Sequence, residues 1–291
     1  MKTRFLSLFR TSPSTGDLAF IGTRDGDELL DGTLLVGERE VGQVIDGVAR
    51  FCEEGWSAEG LDGLFKLDGL WERNWRKGID LAAQPGPAQA ACGELAALDG
   101  VILELALGPG GGYLPAVLCR NPVARVIAND HSSAILRRWR KFLAQNHLGE
   151  NVCFAAFDAR RPVLRDASVA AVSGVGVFGS IGGAEIFLEA YRVLQPGRPL
   201  HTCDHVVDPD DWHRLPEEFR SRWEGHIPGM TKGTPGLLEQ AGFAIESREL
   251  AGRRALDPDE GGLPKEASQH GVVLHVVNEW IKARKPLPVP S

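Results

Sequence analysis

An apolar run that ends in a cluster of glycines, Val101–Gly112, constrains the fold of this chain more than any other segment. The run predicts a buried strand with one carboxylate, Glu104. The glycines after it predict a tight turn whose backbone N–H groups are open to a ligand. A second apolar run, Ala124–Ala128, ends in Asn129-Asp130. Because an acidic side chain at the tip of a second strand suits hydrogen bonds to both hydroxyls of a ribose, the two strands together indicate a nucleoside site.

From residue 100 onward, apolar runs alternate with helical segments, which is typical of a mostly parallel sheet with helices on both faces. We expect strands at Val101–Leu107, Ala124–Asn129, Val152–Phe157, Val169–Val175 and Pro199–Cys203. Apolar residues at helical spacing predict helices at Ser132–Leu148, Glu185–Leu194 and Leu237–Ala241. Two further runs, Phe243–Leu250 and Gly271–Ile281, predict a final hairpin pair. The sequence therefore predicts a Rossmann-like α/β fold with seven strands.

The chain before residue 85 has a different, turn-rich pattern. Asp25-Gly26, Asp31-Gly32 and Asp46-Gly47 separate short apolar runs and predict hairpins, hence a small β-rich module. Aromatic residues within 51–80, such as Trp56 and Trp75, predict short helices. A connector with two prolines follows, and we place a domain boundary there. The expected organisation is a front module with helices over 1–85, a main domain over 86–285 and a mobile tail over 286–291.

Composition limits the partners that this chain is expected to bind. Lys and Arg total 32 against 39 acidic residues, and the net charge of −7 argues against nucleic acid. The 5 cysteines are spread out and never form a Cys-x-x-Cys pair, which favours a reducing cytoplasm over a disulfide framework. The uncharged stretch Ser168–Ala184 is too short and too rich in glycine for a bilayer span, and Phe5–Phe9 is too short for a secretory core. We therefore expect a cytoplasmic protein without a membrane partner.

Four motifs in this order resemble those of the class I S-adenosylmethionine-dependent methyltransferases, over Gly100 to Lys285. Glu104–Gly110 is similar to the family's acidic-x-Gly-x-Gly-x-Gly motif, and Asp130 matches the acidic residue that closes the second strand. Phe157-Asp158-Ala159 resembles the adenine-side Asp-Ala, and Ala190–Gly197 resembles the Arg-Val-Leu-Lys-Pro-Gly-Gly turn. The resemblance implies a methyltransferase with S-adenosylmethionine as its cofactor.

On the methionine side of the cofactor, the resemblance implies roles for the first strand and its turn. Gly108 and Gly110 would admit the homocysteine portion against the backbone, with Pro109 in the same cofactor-binding turn. Glu104 would steady this turn and the amino end of the cofactor. Ala106 departs from the family pattern because it stands where relatives usually have the first glycine, and its methyl group is expected to crowd the loop.

On the adenosine side, the resemblance implies a second set of contacts. Asp130 would hold the ribose diol, and His131 would lie against the adenine. Asp158 would accept the exocyclic N–H of the adenine while the backbone N–H of Ala159 donates to the ring. Ser173, at the end of the fourth predicted strand, would line the wall nearest the reactive methyl.

Residues 17–51 resemble, more faintly, a zinc-ribbon module that precedes some methyltransferases, with the exit Asp46–Phe51. Zinc sites of this kind need four ligands, usually thiolates, and no cysteine stands near Ile21–Arg24 or Val36–Arg39. We therefore expect no metal here, and packing alone to hold the module. Its role is open between recognition of a substrate or partner and a structural addition.

The function expected from these motifs is transfer of a methyl group to a small or medium-sized organic acceptor, whose identity and acceptor atom remain open, as does the oligomeric state. If a general base is used, His205 and His201 are the candidates, because a histidine titrates near neutrality. A regulatory protein that binds the cofactor without turnover is the alternative. An NAD-dependent oxidoreductase is disfavoured, because Tyr113 stands where its motif needs a third glycine.

Overall fold

A computed structural model describes most of the chain. The described residues are 1–10, 16–52, 69–178, 183–226, 234–260 and 262–288. The aromatic residue Trp56, part of the predicted short helices, lies outside this set, as do residues 289–291 of the predicted tail.

Eleven strands of the described residues form one sheet. They are β1 Leu18–Asp25, β2 Glu28–Val36, β3 Arg39–Ile45, β4 Val48–Arg50, β5 Val101–Leu105, β6 Arg125–Asp130, β7 Val152–Ala156, β8 Ala171–Val175, β9 Pro199–Val207, β10 Ala244–Ala255 and β11 His275–Arg284. The seven strands predicted after residue 100 are all present, with ends that differ by a few residues. The last is the most displaced, because Gly271 adopts a left-handed turn conformation (φ +71°) and the strand begins only at His275.

The helices of the described residues cover both faces of the sheet. They are α1 Leu70–Ala83, α2 Pro87–Ala97, α3 Leu114–Arg120, α4 Ser133–Gln145, α5 Glu185–Val193, α6 Pro209–His213, α7 Glu217–His226, α8 Pro235–Gln240 and α9 Gly262–Gln269. Short 3₁₀ turns occupy Thr3–Leu8 and Pro258–Glu260. The N-cap of α4 is Ser132, whose hydroxyl accepts a hydrogen bond from Ile135 N, and of the two serines that the sequence offers at this helix start it is the first that serves.

The order of strands creates a switch point in the middle of the sheet. The order is β1-β2-β3-β4-β7-β6-β5-β8-β9-β11-β10, and β7, β6, β5, β8 and β9 run parallel. From β5 the chain builds toward β7 on one side, and then returns to build β8 and β9 on the other. Ligands of open α/β sheets bind beside the carboxyl ends of the strands at such a reversal. The loop after β5 occupies this position.

The front module extends this same sheet. Its last strand, β4, pairs in parallel with β7, so β1 to β4 form an antiparallel ribbon at one edge. Two of the three predicted turns hold, but Asp31-Gly32 lies inside β2. Gly32 faces Gly22 across the ribbon, and a Cβ at Gly32 would lie 2.3 Å from the Ile21 carbonyl oxygen. Gly32 is therefore required for close approach of two strands. The turn before β3 is at Gly37 instead (φ +61°).

Alternate residues of the strands belong to two hydrophobic clusters, one on each face of the sheet. One contains Leu103, Val172 and residues of α5. The other contains Ile102, Trp139 and residues of α1, α2 and α3. A third, smaller cluster joins α6, α7 and α9 beyond β9. Because α1 packs into the same cluster as α2, the helices on both sides of the predicted boundary near residue 85 share one core. Among the described residues, no helix has the length and apolar character needed to span a membrane.

Candidate functional site

The loop after β5 presents bare backbone to open space at the switch point. Gly108 has φ +54°, and a Cβ built on it would approach no neighbouring atom closer than 3.8 Å. At Gly110 a Cβ would meet nothing within 4 Å. Gly112 differs, because a Cβ there would lie 1.9 Å from Glu104 Oε1. The loop thus has a glycine at Gly112, where it touches the core, and glycines at Gly108 and Gly110, where its backbone faces open space and forms a cradle for a ligand.

Glu104 supports the loop from below. It is fully buried, its Oε1 accepts a hydrogen bond from Tyr113 N at 2.9 Å, and its other carboxyl oxygen accepts one from the Ser173 hydroxyl. Burial raises the pKa of this carboxyl to about 7, although both hydrogen bonds favour the charged form. Its predicted part in steadying the loop therefore has a structural basis, whereas its contact with the cofactor's amino end stays a prediction.

Asp130 fixes the other end of the loop. The carboxylate accepts hydrogen bonds from Gly108 N and from Ser132 N, each at 2.8 Å. Its pKa is raised by burial, and the two backbone hydrogen bonds oppose this shift. The acidic tip of β6 and the glycine-rich loop thus meet, as the sequence predicts. Each carboxylate oxygen keeps one acceptor site beyond its backbone partner, so a ribose diol remains a compatible ligand.

The residues predicted to contact adenine lie beside the end of β7. Asp158 accepts hydrogen bonds from Arg160 Nε at 3.0 Å and from Arg160 Nη2 at 2.8 Å. The Arg160 guanidinium, through these bonds, holds the pKa of Asp158 below its usual value. Ala159 is buried, and His131 is exposed at the start of the turn into α4. Nothing in the sequence marked Arg160 as the partner of Asp158.

A cavity of about 370 Å³ adjoins the loop, within the range of about 300–1,000 Å³ usual for small-molecule sites. Its walls come from the loop, α1, α2, α3, the end of β8 and the middle of β11. The lining residues include Asn74, Lys77, Ala88, Cys92, Ala106, Leu107, Gly108, Pro109, Gly110, Gly112, Tyr113, Val175 and Trp280. The cavity therefore extends from the glycine-rich loop toward the sheet half that contains β8 and β11.

Ser173 and Ala106, two of the predicted site residues, have features that the sequence did not indicate. Ser173 is fully buried beneath the cavity with its hydroxyl bonded to Glu104, and Val175 forms the wall at the end of β8. Side chains alternate along a strand, which places residues 173 and 175 on one face but at different depths. Ala106 lines the cavity in a left-handed conformation, with φ +47°. The predicted crowding of the loop by this methyl group stays a prediction, and the sequence did not indicate the left-handed backbone.

The two candidate bases occupy different environments on β9. His201 is buried, and its Nε2 lies 3.1 Å from Glu94 Oε2 of α2. Glu94 has its pKa lowered to about 2, first by the hydrogen bond with His201 and also by Lys282. His205 is exposed, and its Nδ1 lies 2.8 Å from Asn278 Oδ1. Neither ring is among the residues that line the cavity.

Two further side chains hold the loop, and the sequence reasoning missed both roles. Asn74 of α1 donates a hydrogen bond to the Pro109 carbonyl at 2.8 Å, and Trp139 of α4 donates one from Nε1 to the Gly108 carbonyl, also at 2.8 Å. Trp71 packs edge to face on Trp139, with ring centroids 5.1 Å apart. The tryptophans of α1, Trp71 and Trp75, are partly buried and pack against the hydrophobic cluster that contains Trp139.

The open outer side of Gly108 and Gly110 fits a cofactor that lies against main chain, since a side chain at either position would fill the cradle. The carboxylate of Asp130 lies within hydrogen-bond distance of that same loop. Within the part of the chain that the structure describes, no three or more histidine, cysteine, aspartate or glutamate side chains are grouped as a metal site. The residues present therefore fit an organic cofactor with a nucleoside portion.

Comparison with known proteins supports the same reading. Residues 105–200 match the family model of the methyltransferase domain, whereas no curated protein sequence matches the chain. A solved structure of a proposed methyltransferase from Bacillus halodurans C-125 is 21% identical with a TM-score of 0.52, covering 69% of this chain and 100% of its own. A proposed sarcosine dimethylglycine methyltransferase from Galdieria sulphuraria is 14% identical with a TM-score of 0.50, covering 72% and 86%.

These structural similarities establish the fold, and the family model covers the segment that contains the loop, the acidic tip of β6 and the end of β8. Both agree with the motifs found in the sequence. Residues 105–200 thus match a methyltransferase domain, and the family model and the shared fold together support a class I S-adenosylmethionine-dependent methyltransferase.

Proposed function

We propose that this enzyme transfers the methyl group of S-adenosylmethionine to a small or medium-sized organic acceptor, bound beside the glycine-rich loop near the ends of β8 and β9. The main support for this proposal is the cavity beside the glycine-rich loop and the end of β8. Leu107, Val175 and Trp280 give it an apolar wall, and it is large enough for a small molecule and too small for a folded polymer. The net charge of −7 also argues against a polyanionic acceptor.

The cofactor supplies a methyl group already activated on a sulfonium sulfur. The protein's contribution is then to hold cofactor and acceptor in line and to exclude water. In this proposal Gly108 and Gly110 cradle the methionine half, and Asp130 accepts hydrogen bonds from the ribose hydroxyls. Asp158 and Ala159 face the adenine. The support for these roles is the shape of the loop and its direct hydrogen bond to Asp130.

A general base is needed only if the acceptor loses a proton during transfer. Of the two candidates, His205 has the more suitable surroundings because its ring is exposed at the carboxyl end of β9, where proton exchange with solvent is open. His201 is buried against Glu94 in the middle of the strand. We therefore propose His205 as the proton acceptor and a structural role for His201 beside Glu94.

The first experiment is a thermal shift comparison of S-adenosylhomocysteine with NAD. A ligand at about one hundred times its Kd stabilises the fold by roughly 2.7 kcal/mol. We expect a clear rise in melting temperature with the adenosyl compound and none with the dinucleotide. The reverse pattern would reject the cofactor site and favour an oxidoreductase.

A second experiment decides between an enzyme and a regulatory binding protein. Methyl-labelled cofactor is incubated with a panel of small organic acceptors, and release of S-adenosylhomocysteine is followed together with label in the organic fraction. We expect label in at least one small molecule. Ala106 is the feature that favours the regulatory alternative, because its methyl group occupies the cofactor loop. Turnover that remains absent in the Ala106→Gly variant, with tight cofactor binding, would support that alternative.

A further inference from the structure

The strand β10, Ala244–Ala255, lies at one edge of the sheet, next to β11. Among the described residues, no strand pairs with its other side. β10 is the longest of the described strands, and its 12 residues are all exposed except Ile245, which is partly buried. A long open edge presents unpaired backbone N–H and C=O groups to any further strand. This edge is therefore able to pair with a strand of another chain.

The charged residues of β10 fall into two groups. Glu246, Arg248 and Arg253 form ion pairs with residues of neighbouring elements. Glu249 and Arg254 are exposed, and their side chains form no ion pair or hydrogen bond with any residue that the structure describes. The edge strand thus carries one acidic and one basic side chain that are open to a partner of opposite charge.

The register with β11 places these two open charges on one face of the sheet. Glu249, Ala251 and Arg254 pair in turn with three residues of β11, namely Trp280, Asn278 and Val276. Every second residue of a strand points to the same face, so these three positions of β10 share a face. A bulge between Ala251 and Arg254 supplies the extra residue that keeps Arg254 in step. Ala251 therefore lies midway between the two charges, about 7 Å along the strand from each.

A twofold axis at Ala251 would bring these charges together across two copies of β10. Such an axis pairs the strands antiparallel and exchanges their ends, so Glu249 of each copy lies opposite Arg254 of the other on the same face. Opposite charges that face each other directly stabilise an antiparallel pair. We propose that β10 is a dimerisation edge whose partner is a second copy of this chain, held in register by two reciprocal ion pairs between Glu249 and Arg254.

The strand at the opposite edge, β1, does not offer the same complementarity. Its two charged residues, Arg24 and Asp25, are adjacent at one end of the strand. A twofold antiparallel pair of β1 strands would place both charges opposite the apolar end of the other copy. Pairing of β10 with β1 would be head to tail, which extends into filaments unless the rotation closes a ring. The charge pattern therefore favours β10 with β10.

The test is a charge reversal followed by its compensation. Analytical ultracentrifugation measures the dimer Kd of the wild type, Glu249→Arg, Arg254→Glu and the double variant. Because of the twofold axis, each single change replaces two attractive pairs with two repulsive ones. We expect each single change to raise the dimer Kd about tenfold or more. The double variant restores both pairs in the reverse orientation, so its dimer Kd should return to within about threefold of the wild type.

Matched controls and a second readout come from the same chain. Glu38 and Arg39 are exposed at the turn between β2 and β3, in the ribbon at the other end of the sheet. Glu38→Arg and Arg39→Glu should dimerise as the wild type does. Hydrogen exchange of the amides in 247–254 should be slower above the dimer Kd than below it. Amides of β1 should exchange at the same rate at both protein concentrations.

Several results would overturn the inference. A wild type that stays monomeric at the highest soluble concentration would do so, as would a dimer that neither single variant weakens. A double variant no tighter than the single variants would show that Glu249 and Arg254 do not face each other. Assemblies larger than a dimer would indicate pairing of β10 with β1 instead. None of these results depends on cofactor binding, which the thermal shift comparison tests separately.

Discussion

The backbone at Ala106 is expected to reduce the stability of this enzyme. Ala106 has φ +47°, within the left-handed region where a Cβ approaches the following carbonyl oxygen. That conformation costs about 1–2 kcal/mol for a residue other than glycine. Glycine would remove this cost, but it loses about 0.5–1 kcal/mol more conformational entropy on folding. The balance predicts that Ala106→Gly stabilises the fold by about 0.5–1 kcal/mol, a rise in Tm of about 1–3 °C.

Two other alanines test the origin of this effect. Ala167, which is exposed, has φ +48°, so Ala167→Gly should give a similar gain at a site distant from the loop. Ala90 is exposed within α2, where a change to glycine should instead destabilise by about 1 kcal/mol. Calorimetric or chemical unfolding of the three variants measures the differences. If Ala106→Gly destabilises as much as Ala90→Gly, the strain at Ala106 is not significant.

Asp130 and Glu104, the two carboxylates that hold the glycine-rich loop, give further predictions. Asp130→Ala removes the acceptor for Gly108 N and Ser132 N, so the free energy of unfolding should fall by about 1–3 kcal/mol. The variant should also bind S-adenosylhomocysteine more than about tenfold more weakly than the wild type. Unchanged affinity in calorimetry would exclude a contact between Asp130 and the ribose. Glu104 has a folded-state pKa of about 7 against 4.5, so the folded state retains its proton longer as pH rises. The wild type should therefore lose stability relative to Glu104→Gln between about pH 4.5 and pH 7, and equal slopes in urea unfolding across that range would refute the raised pKa.

The parallel half of the fold was predictable because its strands are short and mostly buried, and because a helix follows each of β5, β6, β8 and β9. Glu104 and Asp130 were located from sequence because each stands at a fixed place in a strand that periodicity identifies. The local sequence also contained the cap of α4 at Ser132. In each of these cases, the residues that form the sequence pattern lie within a few positions of the structural feature that they predict.

Long-range pairing was not predictable in the same way. β4 has 3 residues, and its parallel pairing with Ala155 and Ala156 joins the front ribbon to the rest of the sheet. No periodicity within 48–50 marks that partner. Gly32 was interpreted as a turn residue because Asp-Gly usually is one, but the deciding contact is with Gly22 on the neighbouring strand. Asp158 was likewise assigned without Arg160, whose guanidinium occupies its outer side.

The cofactor loop is held on several sides before any ligand binds. Asp130 holds Gly108 N, Trp139 holds the Gly108 carbonyl, and Asn74 holds the Pro109 carbonyl. These side chains come from three separate elements, so the cradle is preformed and little ordering entropy remains to oppose binding. One of them, Asn74, lies ahead of the predicted boundary near residue 85. A fragment that begins at residue 86 would therefore keep the family motifs but lose part of the support of their loop. The helix α1 thus packs with the main domain and supports its loop, whereas the front ribbon extends the sheet of that domain through β4.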